Sequence, residues 1–155
     1  MDLLMRDATI QDSQEMLKWR NEAEVRRFSH SKELIAEEDH NLWLKSRLIL
    51  LPSEPFWVFE NELGKIGFMR LDFDGKFNHF KVSILLNPIF RGKGYGKVIL
   101  NKSMKKSLEI KHVESFYAES HVDNQASKSL FLNNGFQELG NFNNFLLLKK
   151  FTNFN

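Results

Sequence analysis

The most informative stretch of the sequence runs Ile84-Leu85-Leu86-Asn87-Pro88-Ile89-Phe90-Arg91-Gly92-Lys93-Gly94-Tyr95-Gly96-Lys97. Its apolar start predicts the end of a strand, its alternate glycines predict a tight loop, and the apolar positions that follow predict a helix to about Leu108. Glycine lets the backbone approach a ligand closely, and the free N–H groups of a helix N-terminus attract anions. Lys93 and Lys97 add positive charge. The segment therefore predicts a phosphate-binding loop that suits a pyrophosphate.

Two better-known phosphate loops do not match this pattern. A Walker loop has four residues between its first glycine and Gly-Lys-Ser/Thr, a spacing that the sequence lacks. A dinucleotide fingerprint follows the first strand of a βαβ unit, whereas this loop follows the fourth predicted strand. A flexible basic hairpin loop is a further alternative. It would not require three alternate glycines directly before an apolar helix, so the phosphate-binding interpretation is favoured.

Strand and helix signals alternate over the rest of the chain. Strands are predicted at 3–6, 56–59, 65–71, up to Leu86, 115–122 and 142–151, and helices at 12–20, 37–50, from Gly96 to about 108 and 124–133. Asp12 is the expected N-cap of the first helix. The order predicts an α/β (α+β) fold with a mixed central sheet of about 6–7 strands and about 4 helices. We expect one domain over residues 1–155.

Composition narrows the function classes. The 155 residues carry a net charge of only +2 with both signs interspersed, which argues against nucleic acid or an anionic membrane as partner. Without cysteine there is no disulfide, thiolate metal site or cysteine acyl intermediate, and a cytoplasmic location is expected. No apolar run approaches the roughly 20 residues of a membrane span, and 1–7 does not resemble a signal peptide. His40 lacks partners at metal-ligand spacing, so no metal is expected.

Four motifs in order carry a family resemblance. They are Arg91, Gly94 and Gly96 in the pattern Arg/Gln-x-x-Gly-x-Gly/Ala; 124–136 in the pattern Asn-x-x-Ala/Ser-x-x-Leu-Tyr-x-x-x-Gly-Phe; the hairpin 64–68; and the opening 6–9 with Asp12. Together they cover nearly the whole chain. The sequence therefore resembles the GNAT superfamily of N-acetyltransferases, which implies the GNAT fold and transfer of an acetyl group from acetyl-CoA to an amine.

The resemblance also implies where acetyl-CoA binds. The pantetheine arm is expected along the fourth strand and the pyrophosphate at the glycine loop, and Asn124 at the start of the last helix is expected to contact the pantetheine or the acetyl end. The expected cofactor-binding residues are Ile84, Leu85, Leu86, Arg91, Gly92, Lys93, Gly94, Tyr95, Gly96, Lys97, Asn124 and Ser127.

Direct attack on the thioester needs a neutral amine, and therefore a proton acceptor. Glu119, on the fifth predicted strand beside the expected acetyl site, is the candidate catalytic residue; a surface charge on one strand face is the alternative. The family often has a tyrosine at the position of Phe131, where it could protonate the departing thiolate. Phenylalanine cannot donate a proton, so water or Ser127 would have to serve, or the chain would bind CoA without turnover.

The N-terminal third is expected to bind the acceptor. Its pattern resembles the nucleotide-sugar branch of the superfamily, which includes the 4-amino-sugar N-acetyltransferases of pseudaminic-acid biosynthesis. The expected substrate-binding residues are Trp19, Arg20, Asn21, Arg26, His40 and Trp43. Aromatic rings can stack on a base or sugar, and arginine can bind a diphosphate through two hydrogen bonds. Core packing of the tryptophans and a solvated Arg26-Arg27 pair are the alternatives.

Three function classes stay open at this point. They are an amino-sugar nucleotide acetyltransferase, a protein N-terminal acetyltransferase of the ribosomal-protein type, and a CoA-binding relative without turnover. A small-molecule amine is the expected partner besides acetyl-CoA, and a homodimer is compatible with the sequence.

Overall fold

The computed structural model describes residues 2–152, which form one seven-stranded sheet and five α-helices. Strands β1 to β7 are Leu4–Asp7, Phe56–Asn61, Gly64–Asp74, His79–Leu86, Ser115–His121, Gln137–Phe142 and Phe145–Phe151. Helices α1 to α5 are Ser13–Arg20, Ala23–Arg27, Glu37–Leu48, Tyr95–Ile110 and Gln125–Asn133. The mixed α/β sheet predicted from the sequence is confirmed. None of the helices in the described part is long and apolar enough to cross a membrane.

The strand order is β1-β2-β3-β4-β5-β7-β6, and every neighbouring pair is antiparallel except β4 and β5. These two parallel strands pair only from His79 opposite Ser115 to Lys81 opposite Tyr117. Beyond that point β4 continues to Leu86 and β5 to His121 without pairing to each other. Since β4 keeps its partner on the other side, its edge towards β5 carries free backbone hydrogen-bonding groups.

A hydrophobic core lies on each face of the sheet. The larger one packs α4 and α5 against the strands through residues such as Ile99, Leu100 and Phe131. The smaller one packs α1 and α3 through Met16 and Leu44. The sheet is therefore a partition between a side covered by the N-terminal helices and a side covered by α4 and α5.

The C-terminal tail differs from the prediction. The single strand expected over 142–151 is a hairpin, in which β6 and β7 are joined by Asn143 and Asn144. Both asparagines have positive φ, 50° and 69°, as a tight hairpin turn requires. Strand β6 is exposed along its whole length, so it lacks the alternation of buried and exposed residues that identifies a strand in sequence. Helix α2 was also missed, because its five residues bury no side chain.

Asp12 lies at the predicted position, directly before α1, but its carboxylate does not cap that helix. It instead accepts hydrogen bonds from the Arg6 guanidinium at 2.8 and 2.9 Å and from the backbone of Thr9, and pairs with Lys65 at 2.8 Å. Burial raises the pKa of Asp12, but the bonds from Arg6 and Lys65 outweigh burial and hold that pKa well below its usual range. The residue ties β1 and β3 together beneath α1.

Candidate active site

A cavity of about 800 Å³ opens where β4 and β5 stop pairing. Its walls are the C-terminal half of β4, the glycine loop, the end of β5, the start of α5, and the segment from α2 to the loop after it. The cavity thus combines the three parts that the sequence predicts for a cofactor site: an open strand edge, an anion-binding loop and a helix N-terminus.

The glycine loop has the backbone that its sequence predicts. Gly92 and Gly94 have φ of +73° and +87°, a conformation that favours glycine, and Gly94 is the N-cap of the 16-residue α4. The first backbone N–H groups of α4 have no partner within the helix, and the dipole gives this end partial positive charge. Gly96 lies in the first turn of α4, where a Cβ would meet Leu86 and Leu130 at 3.5 Å.

Ten of the twelve predicted cofactor-binding residues line this cavity. They are Ile84, Leu85, Leu86, Arg91, Gly92, Gly94, Gly96, Lys97, Asn124 and Ser127. Lys93 and Tyr95 lie outside its wall. The exposed Lys93 points its ammonium towards the Phe90 ring, 5.8 Å away, and Tyr95 packs edge-on against that ring. Both side chains therefore pack near Phe90, and these two residues have only their backbone groups available on the cavity side of the loop.

Arg91 has a structural partner that the sequence did not reveal. Its guanidinium donates to Glu22 at 2.6 Å and to the carbonyl of Leu86 at 3.3 Å. Glu22 is the N-cap residue of α2. The ion pair therefore ties the glycine loop to the start of α2. At the opposite wall, the Asn124 side chain caps α5 by accepting a hydrogen bond from the Ser127 N–H at 3.1 Å.

Glu119 lines the cavity from β5, and three side chains donate to its carboxylate. Tyr117 donates to Oε2 at 2.8 Å, while Lys81 and His30 contact Oε1 at 3.1 and 3.0 Å. Burial raises the pKa of Glu119, but these bonds outweigh burial and lower it from its ordinary value. The carboxylate is therefore ionised at neutral pH. Burial together with the Glu119 contact raises the pKa of Tyr117, which keeps that hydroxyl protonated as a donor.

Sequence reasoning missed the three partners of Glu119. Tyr117 could have been found, because residues i and i+2 of a strand share a face. Lys81 lies opposite Tyr117 in the parallel pairing of β4 and β5. His30 comes from the loop after α2, where its ring stacks on Phe145 with centroids 3.8 Å apart. No local pattern in the sequence signals that last contact.

A second cavity, of about 160 Å³, lies on the α1–α3 side of β4. Arg20 and Trp43 line it as predicted, joined by Arg70 of β3 and Ser83 of β4, which were not predicted. The two guanidinium carbons lie 4.3 Å (Arg20) and 5.0 Å (Arg70) from the centroid of the Trp43 ring. Ser83, Ile84 and Leu85 of β4 line both cavities, which makes the two cavities neighbours along one strand.

The other predicted acceptor residues lie outside both cavity walls. Trp19 is 4% exposed and packs on Phe68, as the core alternative proposed. Asn21 bonds the backbone of Ile35 through both its side-chain oxygen and nitrogen. Arg26 donates to the backbone carbonyls of Asn21, before α2, and of Lys32, after it. These side chains are engaged in shaping the segment between α1 and α3.

His40 is fully buried and holds Arg20 in place. Burial and the neighbouring Arg20 charge lower the pKa of His40, so the ring is neutral at neutral pH. Because arginine only donates, Nδ1 of His40 accepts from Arg20 at 3.0 Å, and Nε2 donates to the carbonyl of Ser13 at 3.1 Å. His40 thus orients Arg20, which lines the small cavity, although His40 itself does not line it.

The family model of the GNAT acetyltransferase domain matches residues 2–137. The chain belongs to this family. It is accordingly an acyltransferase, an N-acetyltransferase of the GNAT type that uses acetyl-CoA. The geometry fits this cosubstrate, because the cavity places an anion-binding helix N-terminus beside an unpaired strand edge. No group of three or more His, Asp or Glu side chains within 2–152 could hold a metal ion.

Solved structures share the fold of this GNAT domain at low sequence identity. A protein described as a phosphinothricin N-acetyltransferase has a TM-score of 0.83 at 21% identity, over 99% of this chain and 100% of that one. The ribosomal-protein-alanine N-acetyltransferase from Brucella melitensis has 0.76 at 23%, over 96% and 99%. The spermidine N-acetyltransferase from Vibrio cholerae, solved with CoA and spermine, has 0.80 at 18%, over 95% and 92%. No curated protein sequence matches significantly.

Proposed function

We propose that this acetyltransferase acts on an amine whose carrier also bears an anionic group, best met by the 4-amino group of a nucleotide-linked amino sugar. The observation that supports this most is the small cavity, in which Arg20 and Arg70 flank the Trp43 ring. A guanidinium group binds phosphate oxygens through two hydrogen bonds, and the Trp43 ring holds both guanidinium groups beside the cavity. This acceptor would place the protein in the nucleotide-sugar branch of the superfamily.

The charge balance of the small cavity favours an anion. Arg20 donates to a neutral imidazole, and no ion pair to a carboxylate is found for it within residues 2–152. Burial and the positive charge of Arg70 lower the pKa of Arg20 from its usual value. Arg70 is paired with Asp72 at 3.0 Å, so Arg20 is the guanidinium of this cavity that has no carboxylate partner among residues 2–152, and a diphosphate would supply its counter-charge.

A polyamine acceptor fits less well. Polycations need several carboxylates around the amines, and no carboxylate is found among the described residues that line the small cavity. In the large cavity, both carboxylates already have a cationic partner: Glu119 is paired with Lys81 at 3.1 Å, and Glu24 lies 3.6 Å from Arg27. A peptide N-terminus would have to pair with free backbone groups, and in this proposal those of β4 are taken up by the pantetheine arm.

Glu119 is the proposed proton acceptor. The amine nitrogen bonds to the acetyl carbon, the C–S bond breaks, and the proton of the amine passes to Glu119. A carboxylate with a lowered pKa holds that proton only briefly, and His30 lies 3.0 Å away with 65% of its side chain exposed. We infer that the proton then leaves Glu119 for solvent on the side of the exposed His30 ring. No enzyme nucleophile is required, which agrees with direct transfer.

Acetyl-CoA would lie across the large cavity. In this proposal the unpaired edge of β4 from Val82 to Leu86 bonds the pantetheine arm, and the backbone of Gly92 to Lys97 binds the pyrophosphate. Asn124 lies near the acetyl end at the start of α5. We keep a cytoplasmic location as a further prediction, since the expected substrates are intracellular metabolites. A homodimer also stays a prediction.

The acceptor is tested by thiol release from acetyl-CoA with three acceptors at matched concentration: a nucleotide-linked 4-amino sugar, an alanine-starting peptide and spermidine. We expect the highest kcat/KM for the sugar nucleotide. Arg20→Ala should raise its KM by about 10-fold or more with kcat little changed, because a contact equal in ground and transition states is uniform binding.

Lys18→Ala is the matched control, since it removes an exposed cation of the same helix away from both cavities. It should leave all constants unchanged. Preferential turnover of the peptide or of spermidine would overturn the sugar proposal while leaving the acetyltransferase assignment intact.

A further inference from the structure

Ser120 on β5 is the residue after Glu119 and lines the large cavity with a buried hydroxyl. The residue is 3% exposed, and its Oγ finds no hydrogen-bond partner among residues 2–152. A buried hydroxyl without a partner forfeits the hydrogen bonds it made to water. A ligand in the cavity is the natural source of the missing partner.

The other buried polar atoms that lack a partner in the described chain do not share this position. They belong to Arg47, His79 and Ser103. None of these three residues lines either cavity. Ser120 alone among them therefore combines an unsatisfied polar atom with a place in the wall of the acetyl-CoA site.

The side chains of Glu119 and Ser120 lie on opposite faces of the sheet. Ser120 is paired with Leu146 and lies two residues after Ala118, and both of these belong to the core beneath α4 and α5. Glu119 faces the other way, towards His30 and the N-terminal helices. Because consecutive strand residues point to opposite faces, the two side chains border the opening between β4 and β5 from its acceptor side and its cofactor side.

Ser120 also shares its face with Phe131, which lines the cavity and is 3% exposed. The family often has a tyrosine hydroxyl at that position. Phe131 packs against Phe136 with ring centroids 5.0 Å apart and offers no donor. The cofactor side of the opening therefore has, in Ser120, a buried and unengaged hydroxyl where a donor to the leaving group is needed, whereas the hydroxyl of Ser127 is partly exposed to solvent.

We propose that Ser120 is a catalytic residue that donates a hydrogen bond to the sulfur of acetyl-CoA as the thioester breaks. The amine nitrogen forms the bond to the acetyl carbon, and the electron pair of the C–S bond stays on sulfur. The amine proton leaves by way of Glu119. Ser120 keeps its own proton, because a hydroxyl is a far weaker acid than a thiol of pKa near 8.5, so it stabilises the thiolate without protonating it.

The test measures the thiol of bound CoA and needs no acceptor, so it is independent of the proposed sugar substrate. Thiolate absorbance is titrated in saturated complexes of CoA with the wild type, Ser120→Ala and Ser103→Ala. A hydrogen bond to a charged atom should place the thiol titration of the Ser120→Ala complex about 1–2 pH units above that of the wild type. Ser103→Ala removes an equally buried, unpartnered hydroxyl of α4 outside the cavity, and should match the wild type.

Turnover provides the second readout. Ser120→Ala should lower kcat by about 10-fold with the KM of acetyl-CoA little changed, since the bond strengthens as charge develops on sulfur. Thermal melts without ligand should show that the variant is folded, because alanine removes an unsatisfied group without adding volume. Identical thiol titrations in all three proteins would overturn the proposal, and would mean that water alone satisfies the hydroxyl.

Discussion

At the scale of single residues, the chemistry of the site depends on Glu119 and the charges around it. Its carboxylate accepts hydrogen bonds from Lys81 of β4, Tyr117 of β5 and His30 of the loop after α2. These donors favour the ionised form more than burial opposes it, so the pKa is lowered. The residue is therefore present as a proton acceptor throughout the neutral range.

Glu119→Gln is expected to lower kcat by about 100-fold or more while the Kd of acetyl-CoA stays unchanged, because the amide cannot accept the proton of the amine. The loss should shrink at high pH, where more of the acceptor amine is already neutral. The measurement is a pH–rate profile of both proteins with acetyl-CoA affinity from calorimetry.

Glu138→Gln serves as the control for that substitution, since Glu138 is exposed on the edge strand β6. It should behave as the wild type at every pH. A Glu119→Gln protein with undiminished kcat would show that the carboxylate only holds Lys81, Tyr117 and His30 in place.

The sequence predicted which residue to consider here but not its environment. Glu119 could be selected because it is a carboxylate on a predicted strand beside the expected acetyl site. Its contact with His30 joins residues 89 positions apart and depends on how a loop folds over β7. The same limit explains Trp19, whose aromatic character suits a ligand or a core equally well until its neighbours are known.

At the scale of elements, the junction of β4, the glycine loop and α4 is what the sequence predicted best. Alternate glycines, a proline after the strand and an apolar helix leave few conformations, and Gly92 and Gly94 adopt the positive φ that this turn needs. The β6–β7 hairpin and α2 were predicted poorly, because β6 is exposed and α2 is very short. Neither element has a buried face, so its sequence shows no regular spacing of apolar residues.

Gly96→Ala tests this junction without straining it, because Gly96 is helical and its new Cβ would make ordinary contacts of 3.5 Å. Alanine favours a helix over glycine by about 1 kcal/mol, so the fold should be as stable or more stable. Because the motif has Gly or Ala at this position, Gly96→Ala should keep the acetyl-CoA affinity of the wild type, whereas the larger side chain of Gly96→Val should fill the space between Leu86 and Leu130 and raise the Kd of acetyl-CoA about 10-fold or more.

Gly75→Ala is the matched control, because its Cβ would also meet a side chain at 3.5 Å, that of Phe73, far from the cavity wall. Calorimetric titration of all three variants gives the comparison. Normal acetyl-CoA affinity in a folded Gly96→Val protein would place the pyrophosphate elsewhere.

At the scale of the whole molecule, one break in strand pairing organises the site. Where β4 and β5 stop pairing, the larger cavity reaches from the α4–α5 side to the segment after α2, and the smaller one continues along β4 towards α1 and α3. Three consecutive residues of β4 line both cavities. In the proposed arrangement, acetyl-CoA in the larger cavity and the acceptor in the smaller one would meet along β4.

The binding of acetyl-CoA in this opening is the central claim, and thermal unfolding with and without acetyl-CoA tests it most directly. A ligand at ~100 times its Kd adds about 2.7 kcal/mol to the free energy of unfolding. For a domain of this size each kcal/mol raises Tm by about 2–4 °C, so we expect a rise of roughly 5–10 °C. ATP, which shares the adenine nucleotide but has no pantetheine arm, should give a much smaller rise. An unchanged Tm at millimolar acetyl-CoA would contradict the account.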